Sequence, residues 1–287
     1  MKNYTPDFYD AFTCIAGDCK HSCCIGWDIY LDEETVLYYQ KHPELCSHIE
    51  KDEENFWHIK LSPQKRCPFL NNKGLCDVIL NHGEQAISRI CTDHPRYVNE
   101  FENHTETGLG LCCEAVCELL CNRETPIVLP TPVVLPDMRE QAFYTLRNEL
   151  IMLAQDRTIP VLERLQNISA RCGISLPQKN DAEWIAFFKS LARLDPTWDS
   201  ILDTLHMSSF SLSDTIAEHL TVYFLHRHLA DALQDGRYLE RIAFCLFSVQ
   251  FIGALSGADT AEIMRMYSAE IEYAPDNTEK LLELLEQ

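Results

Sequence analysis

Residues able to bind metal crowd the front of this chain: twelve of its fourteen cysteines lie within the first 121 residues. They begin as Cys14-x4-Cys19-x3-Cys23-Cys24 and continue with Cys67, Cys76, Cys91, the pair Cys112-Cys113, Cys117 and Cys121, while Cys46 stands apart. Thiols are reactive, so this density calls for disulfides, structural zinc or an iron–sulfur centre. The opening residues, Met1-Lys2-Asn3-Tyr4-Thr5-Pro6-Asp7, lack the apolar stretch of a secretory signal, and no run reaches the ~18 apolar residues of a membrane span. A cytoplasmic protein with no membrane contact is therefore expected, and reduced cytosolic thiols count against disulfides. Zinc knuckles normally show Cys-x2-Cys pairs, which are missing here. Iron–sulfur clusters accept more varied spacing and often have a proline beside a ligand, as in Cys67-Pro68. Ligand chemistry thus favours a cluster over zinc. The Cys-x3-Cys-x2-Cys signature of the radical enzymes that cleave S-adenosylmethionine is absent, because Cys24 follows Cys23 directly.

Basic residues flank the cysteines: Lys20, His21, Lys65, Arg66, Arg89, His94 and Arg96. A four-thiolate cluster is negatively charged, and such cations would stabilise it. His21 and His94 are alternative ligands, although polar surface is the simpler role for each. Gly26-Trp27, directly after the cysteine pair, suggests a tight turn followed by an aromatic that shields a cluster, stacks on a ligand or packs in the core. Gly108-Leu109-Gly110 runs into Cys112 with no apolar strand before it, so no Rossmann-type nucleotide pocket is expected.

The elements that must position these residues divide the chain in two. Four prolines in 125–136 deny a helix and favour an extended connector. Residues 1–124 form the Cys-rich part, with short helices expected at 32–41, 84–91 and 112–122 and short strands near 27–31 and 56–61. Residues 137–287 are helical almost throughout, starting from an Asp137-x-x-Glu140 capping box. Helices are expected at 137–155, 160–172, 181–194, 196–206, 213–234, 237–255, 260–273 and 278–286, with Gly173 and Gly236 as stops. Val222, Leu225, Leu229 and Leu233 mark one buried face, and the apolar run 242–255 reads as a buried helix. The fold class is mainly α: an irregular Cys-rich metal- or cluster-binding N-terminal region followed by an α-helical domain.

The 287 residues are 46% hydrophobic and 24% charged, ordinary for a folded protein, with a formal net charge of −20. So acidic a surface repels phosphate backbones and makes nucleic acid a poor partner. It attracts cationic partners, a lysine-bearing protein among them.

Taken together, Phe12-Thr13-Cys14, Cys19 and Cys23-Cys24-Ile25-Gly26-Trp27-Asp28-Ile29 resemble the opening of the flagellin lysine-N-methylases. The resemblance continues through Cys67-Pro68-Phe69-Leu70, Gly74-Leu75-Cys76, Gly83-Glu84, Cys91, Pro95-Arg96 and Leu111-Cys112-Cys113-Glu114. It resumes at Tyr223-Phe224-Leu225-His226-Arg227 and closes at Tyr267-Ser268-Ala269-Glu270-Ile271-Glu272, Asn277 and Leu281-Leu282. It implies transfer of a methyl group from S-adenosylmethionine to lysine ε-amines of flagellin, or of another lysine-bearing protein, by an enzyme carrying a [4Fe-4S] cluster. The positions matching the family's cysteines are Cys14, Cys19, Cys23, Cys24, Cys67, Cys76, Cys91 and Cys113, twice what one cubane needs. Where the family often has Ser-Cys-Pro-Glu, this chain has Cys112-Cys113-Glu114, and it is shorter in its second half. Cys46, Cys117, Cys121, Cys172 and Cys245 read as buried structural residues.

Transfer from a sulfonium to an amine is an in-line displacement that needs a deprotonated, desolvated and aligned lysine. Asp28, Glu84 and Glu114 are the candidate catalytic carboxylates. Trp27, Arg96 and Arg227 are the candidate donor-binding residues, with His226 beside Arg227. The alternative readings are a non-enzymatic iron- or zinc-chelating protein, and an electron-transfer module for which the helical half would be superfluous.

Overall fold

The structure is a computed structural model and describes residues 1–132 and 137–286. In chain order the elements begin with β1 (Lys2–Tyr4), α1 (Glu33–Gln40), α2 (Pro43–Cys46), β2 (Ile49–Lys51), β3 (Trp57–Ile59), α3 (Asp77–His82) and α4 (Arg89–Asp93). There follow β4 (Arg96–Glu100), β5 (His104–Leu109), α5 (Glu114–Cys121), α6 (Met138–Ala154), α7 (Val161–Cys172), α8 (Asp181–Ser190) and α9 (Trp198–Leu202). The chain ends with α10 (Asp214–His228), α11 (Ala232–Asp235), α12 (Tyr238–Ala254), α13 (Thr260–Tyr267), a π turn at Ser268–Glu272 and α14 (Pro275–Leu284). The fold is mainly α. Two compact units share the chain: one holds 1–12, 97–112 and 116–287, the other 13–96 and 113–115. Of the proline-rich stretch 125–136, residues 125–132 lie in the larger unit, and 133–136 fall outside the described residues.

In the larger unit, apolar aromatic packing sets the helices. Along α12 every residue from Ile242 to Ala254 except Gln250 is buried, as its composition leads one to expect. Phe188 stacks on Phe251 with centroids 4.1 Å apart, and Trp184 meets Phe247 at 4.6 Å. Among the described residues no helix is long and apolar enough to cross a membrane. Gly173 and Gly236 end α7 and α11 with φ of 68° and 76°, the left-handed conformation that glycine adopts without strain.

Several helices are shorter than their periodicity suggests. The expected helix at 181–194 stops at Ser190, because the buried Glu270 carboxylate takes the Leu194 and Asp195 amides at 3.0 and 2.6 Å. The expected 213–234 helix breaks at His228 into a 3-10 turn and α11. That at 260–273 gives way to the π turn after Tyr267. Asp137 caps α6 through the Arg139 amide, while Glu140 accepts from the Glu102 amide instead of closing a reciprocal box.

A small sheet completes this unit. β1 lies parallel to β5 in the register Lys2↔His104, Asn3↔Thr105 and Tyr4↔Glu106, and β4 flanks the other side of β5. A strand therefore does lead into Gly108-Leu109-Gly110. It escapes recognition in the sequence because its residues are polar yet almost all buried. Each inward polar group is matched. Glu106 receives both Arg147 guanidinium nitrogens at 2.6 Å and the Tyr144 hydroxyl at 2.8 Å, and Tyr144 meets His104 Nε2 at 2.7 Å.

The smaller unit has little regular structure. The expected helix at 84–91 splits into a 3-10 turn at Glu84–Ala86 and α4. The strand expected near 27–31 is reduced to a single bridge, Tyr30↔His58, and that near 56–61 to β3, which pairs antiparallel with β2. Asp32 caps α1 through the Thr35 amide (2.9 Å) and also accepts from the Arg89 amide (2.9 Å), tying α4 to α1.

Among the described residues, the larger unit hides three carboxylates among arginines. Besides Glu106 with Arg147, Glu218 accepts from Arg157 and Arg164 at 2.8 and 2.9 Å, and Glu272 faces Arg227 at 3.2 Å and His228 at 2.6 Å. Burial alone would raise the Glu106 and Glu272 carboxyls, but Arg147 and Arg227 respectively overrule it and hold each at about 2. Glu106→Gln leaves the fully buried Arg147 charge without a counter-ion and is expected to destabilise the fold by about 3–5 kcal/mol, read from urea unfolding followed by circular dichroism. Stability should also fall with pH in two stages. Burial lowers His226 to about 4 and also lowers His228, so the unfolded chain takes up those protons first as pH drops below about 6.5. The depressed Glu106 and Glu272 then withdraw their contribution as pH falls from about 4.5 through 2. Melting temperatures measured between pH 8 and 3, flat above about pH 7 and declining below it, test this directly.

Candidate functional site

In the smaller unit the chain brings distant cysteines together by backbone bonding between loops. The Cys67 amide donates to the Cys24 carbonyl at 2.8 Å, and the Gly26 amide to the Lys65 carbonyl at 2.9 Å. Gly26, with φ of 101°, supplies the turn a side chain would resist. The Asp77 amide reaches the Phe69 carbonyl (2.8 Å), Leu70 bridges Cys76, and Asn71 Oδ1 accepts the Lys73 and Leu75 amides. This folds 67–77 back on itself, with Cys76 as the residue that opens α3. Cys91 sits in α4, where the Ser88 hydroxyl donates to its sulfur at 3.3 Å.

Cys67 lies in an apolar core with Ile29, Tyr39, Phe69, Leu70, Val78 and Ala86, and Cys24, Cys76 and Cys91 pack against that core. The four thiols feel one another's charge. Burial first, and then the neighbouring thiols, push Cys67 up to about 12 and Cys91 up to about 11, and Cys76 shifts the same way. Burial and the nearby Cys91, Cys76 and Cys67 also push up the Tyr39 hydroxyl, a neighbour the sequence did not single out. Cys23 hydrogen-bonds Cys24 and is itself driven up. That bond, opposed by burial and helped by Ser22 and Arg66, brings Cys24 down to about 7.

The remaining matched cysteines stand differently. Cys19 donates to Glu114 Oε2 at 3.6 Å, Glu114 also accepts the Lys20 amide at 2.8 Å, and Lys20 Nζ is 3.8 Å from its other oxygen. Burial, then Glu114 and Cys113, raise Cys19 to about 11. Cys14 is exposed and its sulfur accepts the Ala16 amide at 3.4 Å. Among the described residues no three His, Cys, Asp or Glu side chains converge tightly enough to hold a single metal ion. What the fold assembles is a wider, all-sulfur set lined by apolar groups, the soft donor type that suits a polynuclear centre.

Of the other expected site residues, Asp28 and Glu84 are exposed, while Glu114 is buried and engaged with Cys19 and Lys20. Trp27 donates its indole N–H to the Cys23 carbonyl at 2.6 Å and lies tilted over His94 with centroids 6.1 Å apart. His94 is half-buried there, and the loss of solvent around its ring lowers it to about 4. Arg96 donates to the Thr92 carbonyl at 3.3 Å.

Arg227 lies in the larger unit between two rings, 4.9 Å from the Tyr97 centroid and 4.4 Å from that of Tyr273. It also donates to the Tyr223 hydroxyl (2.8 Å) and pairs with Glu272. A guanidinium so engaged is largely neutralised by its own chain. Tyr97 also bonds His226 Nδ1 at 2.8 Å. The tyrosines lean on the glycines of 108–110: a Cβ on Gly110 would meet the Tyr273 hydroxyl, and one on Gly108 the Tyr97 ring. Tyr97, Tyr223, Tyr273 and Glu272 were not singled out from the sequence as a set. The signal was there in the paired glycines, whose bare backbone admits side chains so closely. Two segments of the resemblance, 223–227 and 267–272, meet in this network through Tyr223, Arg227 and Glu272.

Comparison with known proteins agrees with the family resemblance. Over 158 residues, 50% of this chain, the sequence is 30% identical to the protein named lysine-N-methylase in Salmonella typhimurium strain LT2, and equally to that of Salmonella choleraesuis strain SC-B67. The match covers 38% of each of those relatives, so the chain spans well under half their length. Over 135 residues, 42% of this chain, it is 30% identical to the protein named flagellar biosynthetic protein FliU in Salmonella muenchen and covers 80% of that protein. No protein-family model matches the chain, and no solved structure does. With four fifths of one relative matched at that identity, the chain belongs to the flagellin lysine-N-methylase family.

Proposed function

We propose that this protein is a protein-lysine N-methyltransferase that moves a methyl group from S-adenosylmethionine to lysine ε-amines of flagellin or another lysine-bearing protein, with a [4Fe-4S] cluster held by Cys24, Cys67, Cys76 and Cys91. The observation that carries the first part is the likeness to proteins named lysine-N-methylase, read together with the acidic surface that suits a cationic substrate. The ligand assignment rests on the four mutually interacting thiols around Cys67, set in an apolar shell with Arg66 nearby. A cubane bound there would cross-link two loops and α4 in a unit with few regular elements, and would supply a one-electron centre. Cys23 stays beside this set as the hydrogen-bond partner of Cys24, while Cys19 and Cys113 belong with Glu114.

In the transfer itself the lysine nitrogen attacks the sulfonium methyl carbon, the carbon–sulfur bond breaks, and the nitrogen sheds its proton. The chain's part is to take that proton and to keep the amine dry and aligned. Asp28 and Glu84 are open to an incoming protein, and Glu114 would act from its buried place beside Cys19.

A second reading, metal binding without catalysis, is favoured by the same thiols. Intact-mass analysis of flagellin incubated with donor and anaerobically reconstituted protein separates the two. Addition of whole methyl groups to lysine supports the proposal, whereas a metal-loaded protein with no calorimetric affinity for S-adenosylmethionine overturns it. For the ligands, Cys67→Ala or Cys24→Ala is expected to cut bound iron from about four atoms per chain to less than half and to bleach the visible charge-transfer band. Cys19→Ala should leave both nearly unchanged.

A further inference from the structure

The hairpin of β2 and β3 in the smaller unit presents aromatic rings to solvent from a loop that is firmly built. Asp52 anchors it: its Oδ1 accepts the Glu54 and Phe56 amides at 3.0 and 2.8 Å, and its Oδ2 accepts the Tyr30 hydroxyl at 3.1 Å. The Asp52 amide donates to the Phe56 carbonyl, and the Asn55 amide to the Asp52 carbonyl, each at 3.0 Å. Yet Phe56 is 59% and Tyr30 44% exposed. Their rings meet edge to face at 90°, 6.4 Å between centroids, and His58 extends the row 6.1 Å from Tyr30. Isolated exposed aromatics are commonplace; a contiguous row held by so many hydrogen bonds marks a surface made for contact.

The charges around it identify the contact. Glu53, Glu54 and Asp28 are exposed, and Asp28 and Glu54 lie close enough to act on the Tyr30 hydroxyl. The hairpin already displays the chemistry in miniature: Lys51 places its ammonium 5.3 Å from the Trp57 centroid while bonding Asn55 Oδ1 at 2.7 Å. An open right-angled corner of rings beside exposed carboxylates suits an alkylammonium, whose stem lies on the rings and whose charge meets the rim.

We propose that Tyr30 and Phe56, rimmed by Glu53, Glu54 and Asp28, form a docking corner for lysine side chains of the protein substrate. This deepens the methyltransferase reading and rests on it for the lysine-bearing partner. The net charge of −20 opposes a second copy of this chain as the occupant.

The test is fluorescence anisotropy of a labelled, unstructured lysine-rich peptide with the full chain, alongside a peptide in which glutamine replaces each lysine. The parent should bind the lysine peptide at least tenfold more tightly than the glutamine peptide. Phe56→Ala should weaken binding about five- to tenfold, and the double variant Glu53→Gln/Glu54→Gln should do so comparably while flattening the salt dependence. All three positions are exposed, and unchanged melting curves confirm that the variants fold. Equal binding of both peptides by the parent, parent-like affinity in both variants, or a change in sedimentation in place of peptide affinity overturns the proposal. Methyl transfer to the same peptide is followed in parallel. Docking without transfer leaves this corner standing and sinks the methyltransferase reading. Transfer with unaltered variants does the reverse.

Discussion

Four sulfurs packed in and against one apolar basket set the terms for residues 13–96. Cys67, Cys76 and Cys91 resist ionising because burial and their neighbours both oppose a negative charge, whereas the hydrogen bond from Cys23 draws Cys24 the other way. Hydrogen bonds from the Cys67 amide to Cys24, from the Asp77 amide to Phe69 and from the Arg89 amide to Asp32 fasten segments that carry almost no helix or sheet. Such a unit has little apolar core in proportion to its loops, so a cluster held by the sulfurs, as proposed, would have leverage on its stability.

The larger unit solves the opposite problem. Its helices bury enough aromatic surface to be secure, and it invests that security in three enclosed carboxylate–arginine groups. Such pairs are poor sources of net stability because desolvation consumes the attraction, but they are strict about geometry: a misplaced helix leaves a bare charge in the interior. Glu106 fixes β5 against α6 through Arg147, and Glu272 fixes the turn after α13 against α10 through Arg227 and His228.

How much of this was legible in the sequence depends on range. Helix limits written by one residue type were readable, as at Gly173, Gly236 and Asp32, and so was the buried apolar run of α12. Limits imposed by distant partners were not: nothing near Ser190 announces that Glu270 will capture the following amides. β5 was hidden because His104, Thr105, Glu106 and Thr107 read as surface until Arg147, Tyr144 and Asn3 are placed beside them. The cysteine spacing pointed to the family and named eight thiols. Only three-dimensional proximity singles out Cys24, Cys67, Cys76 and Cys91, since backbone pairing between loops leaves no periodic trace.

The π turn at Ser268–Glu272 holds one residue more than an α-helical turn would. Each residue advances a helix by about 100°, so that single addition decides which way every later side chain faces. Glu270 looks toward the Leu194 and Asp195 amides and Glu272 toward His228 and Arg227 only in this phase. The segment therefore behaves like a key cut to one depth: adding or removing a single residue there would turn one carboxylate or the other away from its partners.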